Sequence, residues 1–194
     1  MIAVSIPHSI RIIDHDAFYN TKIESLVIPS SVEEIKYAAF SRILSLKYIL
    51  FEPGKLTHIG DRVFAYFNNV KKIVLPSSVI SIGSSIFYDL TEGSSLDLIY
   101  CGKTHIGNEN IFYNQSANIT VYVTDDYKHP TFGGRVPVVL ENKKVCEVYY
   151  SYYKLTCPLR KQYFNMFIHI WFIFFNKNKY IIKKLSLKYY STIL

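Results

Sequence analysis

The side chains best suited to chemistry in this 194-residue sequence are six histidines and three cysteines, and both sets are scattered. No histidine pair has the H-E-x-x-H or H-x3-H spacing that would direct two imidazoles toward one metal ion. The cysteines are too few for a disulfide scaffold and lack C-x-x-C spacing, so two lone thiols in the tail, Cys146 and Cys157, are the favoured interpretation and a Cys146–Cys157 bridge is the alternative. The sequence therefore predicts no metal site.

Gly102, Lys103 and Thr104 match the end of a phosphate-binding loop, but the sequence departs from that motif upstream. The motif needs a glycine five residues before Gly102, and Asp97 stands there instead. The sequence also has no G-x-S-x-G segment, which would place a serine nucleophile on a sharp turn. We therefore expect no catalytic residues, no cofactor and no enzymatic activity.

The net charge of +7 is concentrated at one end of the chain. Residues 1–140 contain 12 Lys and Arg against 13 Asp and Glu, whereas residues 141–194 contain 10 against 2. Because the body is nearly neutral, it lacks the basic face that nucleic-acid binding requires, and we expect no nucleic-acid partner. The last 54 residues hold eight Tyr, five Phe and nine Lys but no Gly, Ala or Asp. This tail is predicted to be poorly folded, with membrane association as the alternative.

An internal repeat organises the rest of the chain. Phenylalanines recur at intervals of 22, 24, 23 and 25 residues: Phe18, Phe40, Phe64, Phe87 and Phe112. A proline lies 11 residues before each of the first four: Pro7, Pro29, Pro53 and Pro76. An isoleucine follows six residues after each proline: Ile13, Ile35, Ile59 and Ile82. Four copies that agree at several positions predict a repeat protein.

A unit of 22–25 residues is too short to own a hydrophobic core, so neighbouring units must stack and bury Phe on Phe and Ile on Ile. The residues before each proline alternate, as Leu26 and Ile28 do, which predicts strands with one face inward. Proline ends each strand because it has no N–H to donate. A second short extended piece and a tight or helical turn should follow. The additional Glu52 before Pro53 predicts a bulge.

The segments IPSSVEEIKYAAFSRILSLKYI and LPSSVISIGSSIF resemble the BspA-type leucine-rich repeat, also called the Treponema pallidum-type repeat. The resemblance extends to about residue 140 and includes VYVTDDYKHPTFGGRVPV, which is similar to the closing segment of protozoan members. The frequent cysteine after the Ala-Phe pair is replaced here by Arg42, Tyr66 or Asp89. The resemblance implies a leucine-rich-repeat solenoid of about five repeats with short parallel strands. It also implies a surface antigen or adhesin that binds host or matrix proteins.

We expect three segments: repeats over residues 1–124, a closing segment over residues 125–140, and the divergent tail over residues 141–194. Met1 falls inside the first strand, so the first repeat exposes an apolar edge. Fraying of that repeat or truncation of the chain is the favoured explanation, and coverage by a partner is the alternative. The family resemblance implies a location at the cell surface. The N-terminus lacks the basic and apolar regions of a signal peptide, so a cytoplasmic location is the alternative.

The strand face is the predicted binding surface. Stacked strands align their outward residues into two columns, whose central members are aromatic, aliphatic or cationic. The predicted contact residues are Tyr48, Leu50, Lys72, Val74, Leu98 and Tyr100. Because β-propensity alone also selects such residues, a purely structural role is the alternative.

These observations predict a non-catalytic protein-interaction module of the surface-antigen type, with an intracellular leucine-rich-repeat scaffold as the alternative. Two N-glycosylation sequons begin at Asn114 and Asn118, before the last predicted strand. They favour an extracellular location, because glycans are added to exposed loops of secreted proteins.

Overall fold

The computed structural model describes residues 2–140 and Cys146, which lie in the first of the chain's two units, Met1–Lys154. The predicted tail lies outside the described residues apart from Cys146. Short strands and turns build the described part. The strands are β1 (Ala3–Ser5), β2 (Ile12–Ile13), β3 (Ser25–Ile28), β4 (Glu34–Ile35), β5 (Tyr48–Phe51), β6 (His58–Ile59), β7 (Lys72–Leu75), β8 (Ser81–Ile82), β9 (Ser95–Tyr100), β10 (Asn118–Thr124) and β11 (Val138–Leu140). A short 3-10 helix spans Glu109–Phe112.

Seven strands form the wide face of the solenoid, and each pairing between them is parallel. β1, β3 and β5 make a three-stranded sheet, while β7, β9, β10 and β11 make a four-stranded sheet. β5 and β7 lie side by side, but no ladder of hydrogen bonds joins them. We call this interruption of the wide face, between the third and fourth repeats, the seam.

The narrow face is a third parallel sheet, built from β2, β4, β6 and β8. It confirms the second extended piece that the repeat pattern predicts. Its pairing places the isoleucines of successive repeats in direct register, and all four are buried: Ile13, Ile35, Ile59 and Ile82. This sheet is continuous past the seam, so the third and fourth repeats are joined on one face.

The phenylalanines form the predicted ladder through the core. Ring centroids of successive members lie 5.5, 6.4, 5.9 and 6.0 Å apart, with the rings stacked. Phe40, Phe64 and Phe87 are fully buried, whereas Phe18 at the uncovered first repeat is half-buried. At the other end the guanidinium of Arg135 lies 4.3 Å from the centre of the Phe112 ring and covers the last rung. The stacking of these rings buries apolar surface between neighbouring repeats and so stabilises the array.

The turns around each phenylalanine use left-handed backbone conformations at two fixed positions. One column lies two residues before the phenylalanine: Asp16, Ala38, Arg62 and Ser85. The other lies two residues after it: Asn20, Arg42, Tyr66, Asp89 and Asn114. Left-handed φ angles cannot continue a right-handed helix, so the chain makes the tight turn of the two predicted alternatives. Hydrogen bonds between neighbouring turns, such as Phe64 N–H to the Ile86 carbonyl at 2.9 Å, hold these turns in place.

The additional residue of the third repeat does not form the predicted bulge. β3 and β5 pair residue for residue from Ser25 with Tyr48 to Ile28 with Phe51, so the ladder is regular. Glu52 follows the end of β5, and its carboxylate accepts a hydrogen bond from the Ser30 N–H at 3.1 Å. The additional residue is therefore accommodated in the turn, where it disturbs no strand pairing.

A disulfide joins Cys101 to Cys146, so the predicted lone thiol is wrong for Cys146. The alternative bridge between Cys146 and Cys157 is also wrong. Cys101 directly follows β9, and Cys146 lies six residues beyond the end of β11. The bridge thus closes a loop that contains β10, β11 and the closing segment.

Candidate interaction surface

The strand register fixes which side chains leave the wide face. Leu26 and Ile28 of β3 are buried in the core, so Ser25 and Val27 point outward. Their partners in β5 are Tyr48 and Leu50. The equivalent outward positions of β7 are Lys72 and Val74, because Ile73 and Leu75 are in the core. We call the surface formed by these outward side chains the strand face.

The predicted contact residues on β5 and β7 differ in exposure. Tyr48 keeps 44% of its surface exposed, and Lys72 is also exposed. Val74 is half-buried, and Leu50 is only 6% exposed although it does not belong to the core cluster. Tyr48 and Lys72 are the first residues of β5 and β7, the adjacent strands on opposite sides of the seam. They are therefore the accessible part of the predicted set.

Leu98 and Tyr100 do not point outward, and this part of the prediction is wrong. Both side chains are fully buried in the core. The pairing of β7 with β9 matches Ile73 to Leu98 and Leu75 to Tyr100, so these residues continue the inward columns. The outward positions of β9 are Asp97 and Ile99.

The error has a simple cause in the sequence. The fifth repeat lacks the proline that marks the strand end in the others. Three consecutive apolar residues, Leu98, Ile99 and Tyr100, also hide the alternation. A shift of one residue moves every side chain of a strand to the other face.

Tyr100 has a structural role at the end of the array. Its hydroxyl donates a hydrogen bond to the Val79 carbonyl at 2.7 Å, and its ring packs against Phe132 at 5.3 Å. Burial raises the pKa of its phenol. The backbone at Gly102 passes so close to this ring that a Cβ there would lie within 3 Å of it. Tyr100 therefore anchors the closing segment to the fourth repeat.

The turn edge carries a second surface that the sequence analysis did not identify as a site. The Arg42 guanidinium lies 4.7 Å from the centre of the Tyr66 ring, and Arg62 lies 4.9 Å from that of Tyr88. The two tyrosine rings meet edge to face at 5.8 Å. A hydrogen bond to Tyr66 is the main cause that raises the pKa of Arg42. The signal that could have revealed this row is the recurrence of Tyr and Arg within two residues of the repeat phenylalanines.

Ion pairs link equivalent positions of neighbouring repeats near the N-terminus. Lys47 Nζ lies 2.9 Å from the Glu24 carboxylate, and Arg11 lies 2.8 Å from that of Glu33. Lys36 approaches Asp14 at 3.2 Å. Hydrogen bonds from His15, backbone and side chain, and then from Lys36 lower the pKa of Asp14 to about 2. These pairs are exposed, so each adds little to stability, but together they favour the native register.

The two sequon asparagines are exposed. Asn114 sits in a left-handed turn, and its carbonyl accepts a hydrogen bond from the Asp89 N–H at 3.0 Å. Asn118 opens β10. Both side chains therefore reach solvent, as an acceptor for N-glycosylation must. Their modification stays a prediction.

The described residues bring few catalytic or metal-binding side chains together. The rings of His105 and His129 stack with their centroids 4.7 Å apart, although their spacing in the sequence matches no metal-binding motif. Within residues 2–140, no three His, Cys, Asp or Glu side chains come close enough together to hold a metal ion. The same part of the chain contains no helix with the length and apolarity to cross a bilayer.

Comparison with known proteins identifies the repeat. Residues 1–120 match a family model described as the BspA type leucine rich repeat region, in six copies. The spacing of the phenylalanines predicts about five repeats over the same part of the chain. No curated protein and no solved structure matched the sequence.

Proposed function

The chain belongs to the BspA-type leucine-rich repeat family, and we propose that it binds a protein ligand through its strand face. Repeats of this family form scaffolds for protein–protein interaction and are typically non-catalytic. The solenoid aligns side chains of several repeats on one surface, so that one ligand can contact many of them at once. The proposed contact residues are Tyr48, Lys72 and the half-buried Val74.

The exposure of Tyr48 beside Lys72 is the observation that carries this proposal. Tyrosine supplies a large contact area at low conformational entropy, and it is enriched among the residues that dominate interface energies. A lysine at the margin adds charge that steers an acidic partner. Tyr48 and Lys72 lie on neighbouring strands, so one partner segment could cover both.

We further propose that the protein works at a cell surface and that its ligand is a host or matrix protein. Proteins of this family are often surface-associated. The Cys101–Cys146 disulfide supports an oxidising environment, because cytosolic thiols are kept reduced. The exposed sequons at Asn114 and Asn118 support the same location.

The binding proposal is tested with the full chain and the substitutions Tyr48→Ser and Lys72→Ser. Capture of matrix proteins should weaken by about tenfold or more for Tyr48→Ser, since central aromatic contacts typically contribute about 2 kcal/mol. The melting temperature should stay unchanged, because neither side chain enters the core. Glu92→Ser, a change at an exposed loop residue, is the matched control. Unaltered capture by both variants would reject the strand face as the contact surface.

Localisation needs its own experiment. N-glycans on Asn114 or Asn118 and labelling of the protein on intact cells are the expected results. A protein that carries no glycan and is labelled only after lysis would instead support the intracellular scaffold.

A further inference from the structure

A cavity of about 360 Å³, largely open to solvent, lies beside the end of the phenylalanine ladder. Residues of the 3-10 helix and its C-cap form one side, and the closing segment forms the other: Glu109, Phe112, Tyr113, Gly133, Gly134 and Arg135. None of these residues belongs to a strand, so the cavity is separate from the strand face. Its volume is at the lower end of the range for small-ligand sites.

Arg135 is a half-buried cation without an anionic partner among the described residues. One of its Nη atoms donates to the Ile119 carbonyl at 3.0 Å, and the guanidinium lies over the Phe112 ring at 4.3 Å from its centre. Burial lowers the pKa of Arg135, because no carboxylate in this part of the chain compensates the lost hydration. A guanidinium has five N–H donors in a planar fork, so donors suited to a carboxylate are left over.

The backbone of the closing segment adds a second donor. Gly133 and Gly134 have φ angles of +54° and +77°, and a Cβ at Gly133 would lie 3.0 Å from the Ile111 and Phe112 side chains. The Gly133 N–H donates to the Ile106 carbonyl at 2.7 Å, whereas the neighbouring Gly134 N–H donates to no described group. Gly134 is exposed and lines the same cavity as Arg135, so its N–H is available to a ligand there.

Glu109 and Tyr113 complete the opposite wall. Tyr113 is 64% exposed, and Glu109 is also exposed. The Glu109 carboxylate and the Arg135 guanidinium line the same cavity without forming an ion pair with each other. Separated charges of opposite sign fit a ligand that carries both a carboxylate and a basic group.

We propose that this cavity binds the carboxylate of a peptide ligand, held by the Arg135 guanidinium and the Gly134 N–H. Bidentate pairing with a guanidinium gives a carboxylate a defined orientation. The ring of Tyr113 contacts the adjoining peptide segment, and Glu109 favours a basic residue beside the acidic one. The site makes the closing segment a second, independent contact point of the module.

The test is an NMR titration of the full chain with blocked tetrapeptides. The probe acetyl-Gly-Glu-Lys-Gly-amide should shift the Gly134 amide and the Arg135 Nε resonances at millimolar concentration. The version with Gln in place of Glu should leave both unshifted. A third peptide, with Gln and a free C-terminus, shows whether a terminal carboxylate serves as well; binding of either carboxylate source supports the site.

Two variants separate recognition from stability. Arg135→Lys keeps the charge over Phe112 but loses the planar fork, so affinity should fall by about tenfold with little change in melting temperature. Glu109→Gln should remove the preference for acetyl-Gly-Glu-Lys-Gly-amide over acetyl-Gly-Glu-Gln-Gly-amide, a fourth probe that lacks the lysine. Arg42 is the matched control, because it also stacks on a ring but is exposed outside the cavity. The proposal is overturned if no probe shifts Gly134, or if Arg42 Nε shifts as much as Arg135 Nε.

Discussion

Reduction of the Cys101–Cys146 disulfide should destabilise the repeat array strongly. The bond closes a loop over a sequence separation of 45 residues. The chain-entropy relation for a loop of this length gives about 4 kcal/mol of stabilisation at 25 °C, through restriction of the unfolded chain. For a unit of about 150 residues, that free energy corresponds to a fall in melting temperature of roughly 8–16 °C.

The assay is thermal unfolding of the oxidised and reduced protein, followed by circular dichroism. Cys101→Ser should melt at the temperature of the reduced protein and should no longer respond to reductant. Cys157→Ser is the control, because it leaves both bonded cysteines in place and should melt like the oxidised protein. Peptide mapping without reductant should recover a cross-linked pair of peptides that contain Cys101 and Cys146.

Two results would refute this reasoning. If oxidised and reduced protein melt together, the loop does not restrict the unfolded chain as calculated. If peptide mapping recovers a Cys146–Cys157 link, the closing segment is not tied to β9 at all.

Three further predictions concern the repeats themselves. Phe64→Ala should lower the free energy of unfolding by about 3–5 kcal/mol in denaturant titrations, because it opens a cavity in the middle of the ladder. Phe18→Ala, at the half-buried end, should lower it by only about 1–2 kcal/mol. Equal losses would contradict a stacked core. Ala38→Gly should leave the protein about 1–2 kcal/mol more stable than Ala39→Gly, since both remove one buried methyl group but only Ala38 is left-handed. Acid should destabilise the protein as the pH falls through about 2, because the folded-state pKa of Asp14 is about 2, below the ordinary value of an aspartate, and the stabilising contacts of its carboxylate are lost once that carboxylate is protonated. NMR titration of Asp14 in a Lys36→Met variant should show a raised pKa, and an unchanged one would exclude that pair as a cause.

The repeated core could be predicted from the sequence because its signal recurs. One phenylalanine means little, but Phe40, Phe64 and Phe87 at similar spacings can be buried together only if the units stack. The structure confirms this ladder and the isoleucine register beside it. The repeat pattern does not give the orientation of Tyr100, because this repeat lacks the proline and nothing else in the local sequence fixes which residues of the strand face inward.

The remaining features depend on contacts between residues that are distant in the sequence. The partner of Cys101 is set by the path of the closing segment, which no local pattern describes. The stacking of Arg42 on Tyr66 depends on left-handed turns at non-glycine residues, which sequence propensity disfavours. The cavity at Arg135 forms because Gly133 and Gly134 bring the chain back against the 3-10 helix.

The seam affects how the array responds as a cooperative system. In a repeat protein, stability is approximately a sum of intrinsic terms and nearest-neighbour couplings, so a weak coupling divides the array into blocks. Between β5 and β7 the wide face contributes no ladder hydrogen bonds, so the coupling rests on the narrow sheet, on hydrogen bonds between turns such as Phe64 N–H to the Ile86 carbonyl, and on the stacking of Phe64 with Phe87. The first three repeats therefore form one block, and the fourth repeat with the disulfide-closed end of the array forms another. Amide exchange should be faster in the first block, because it can open without disturbing the second.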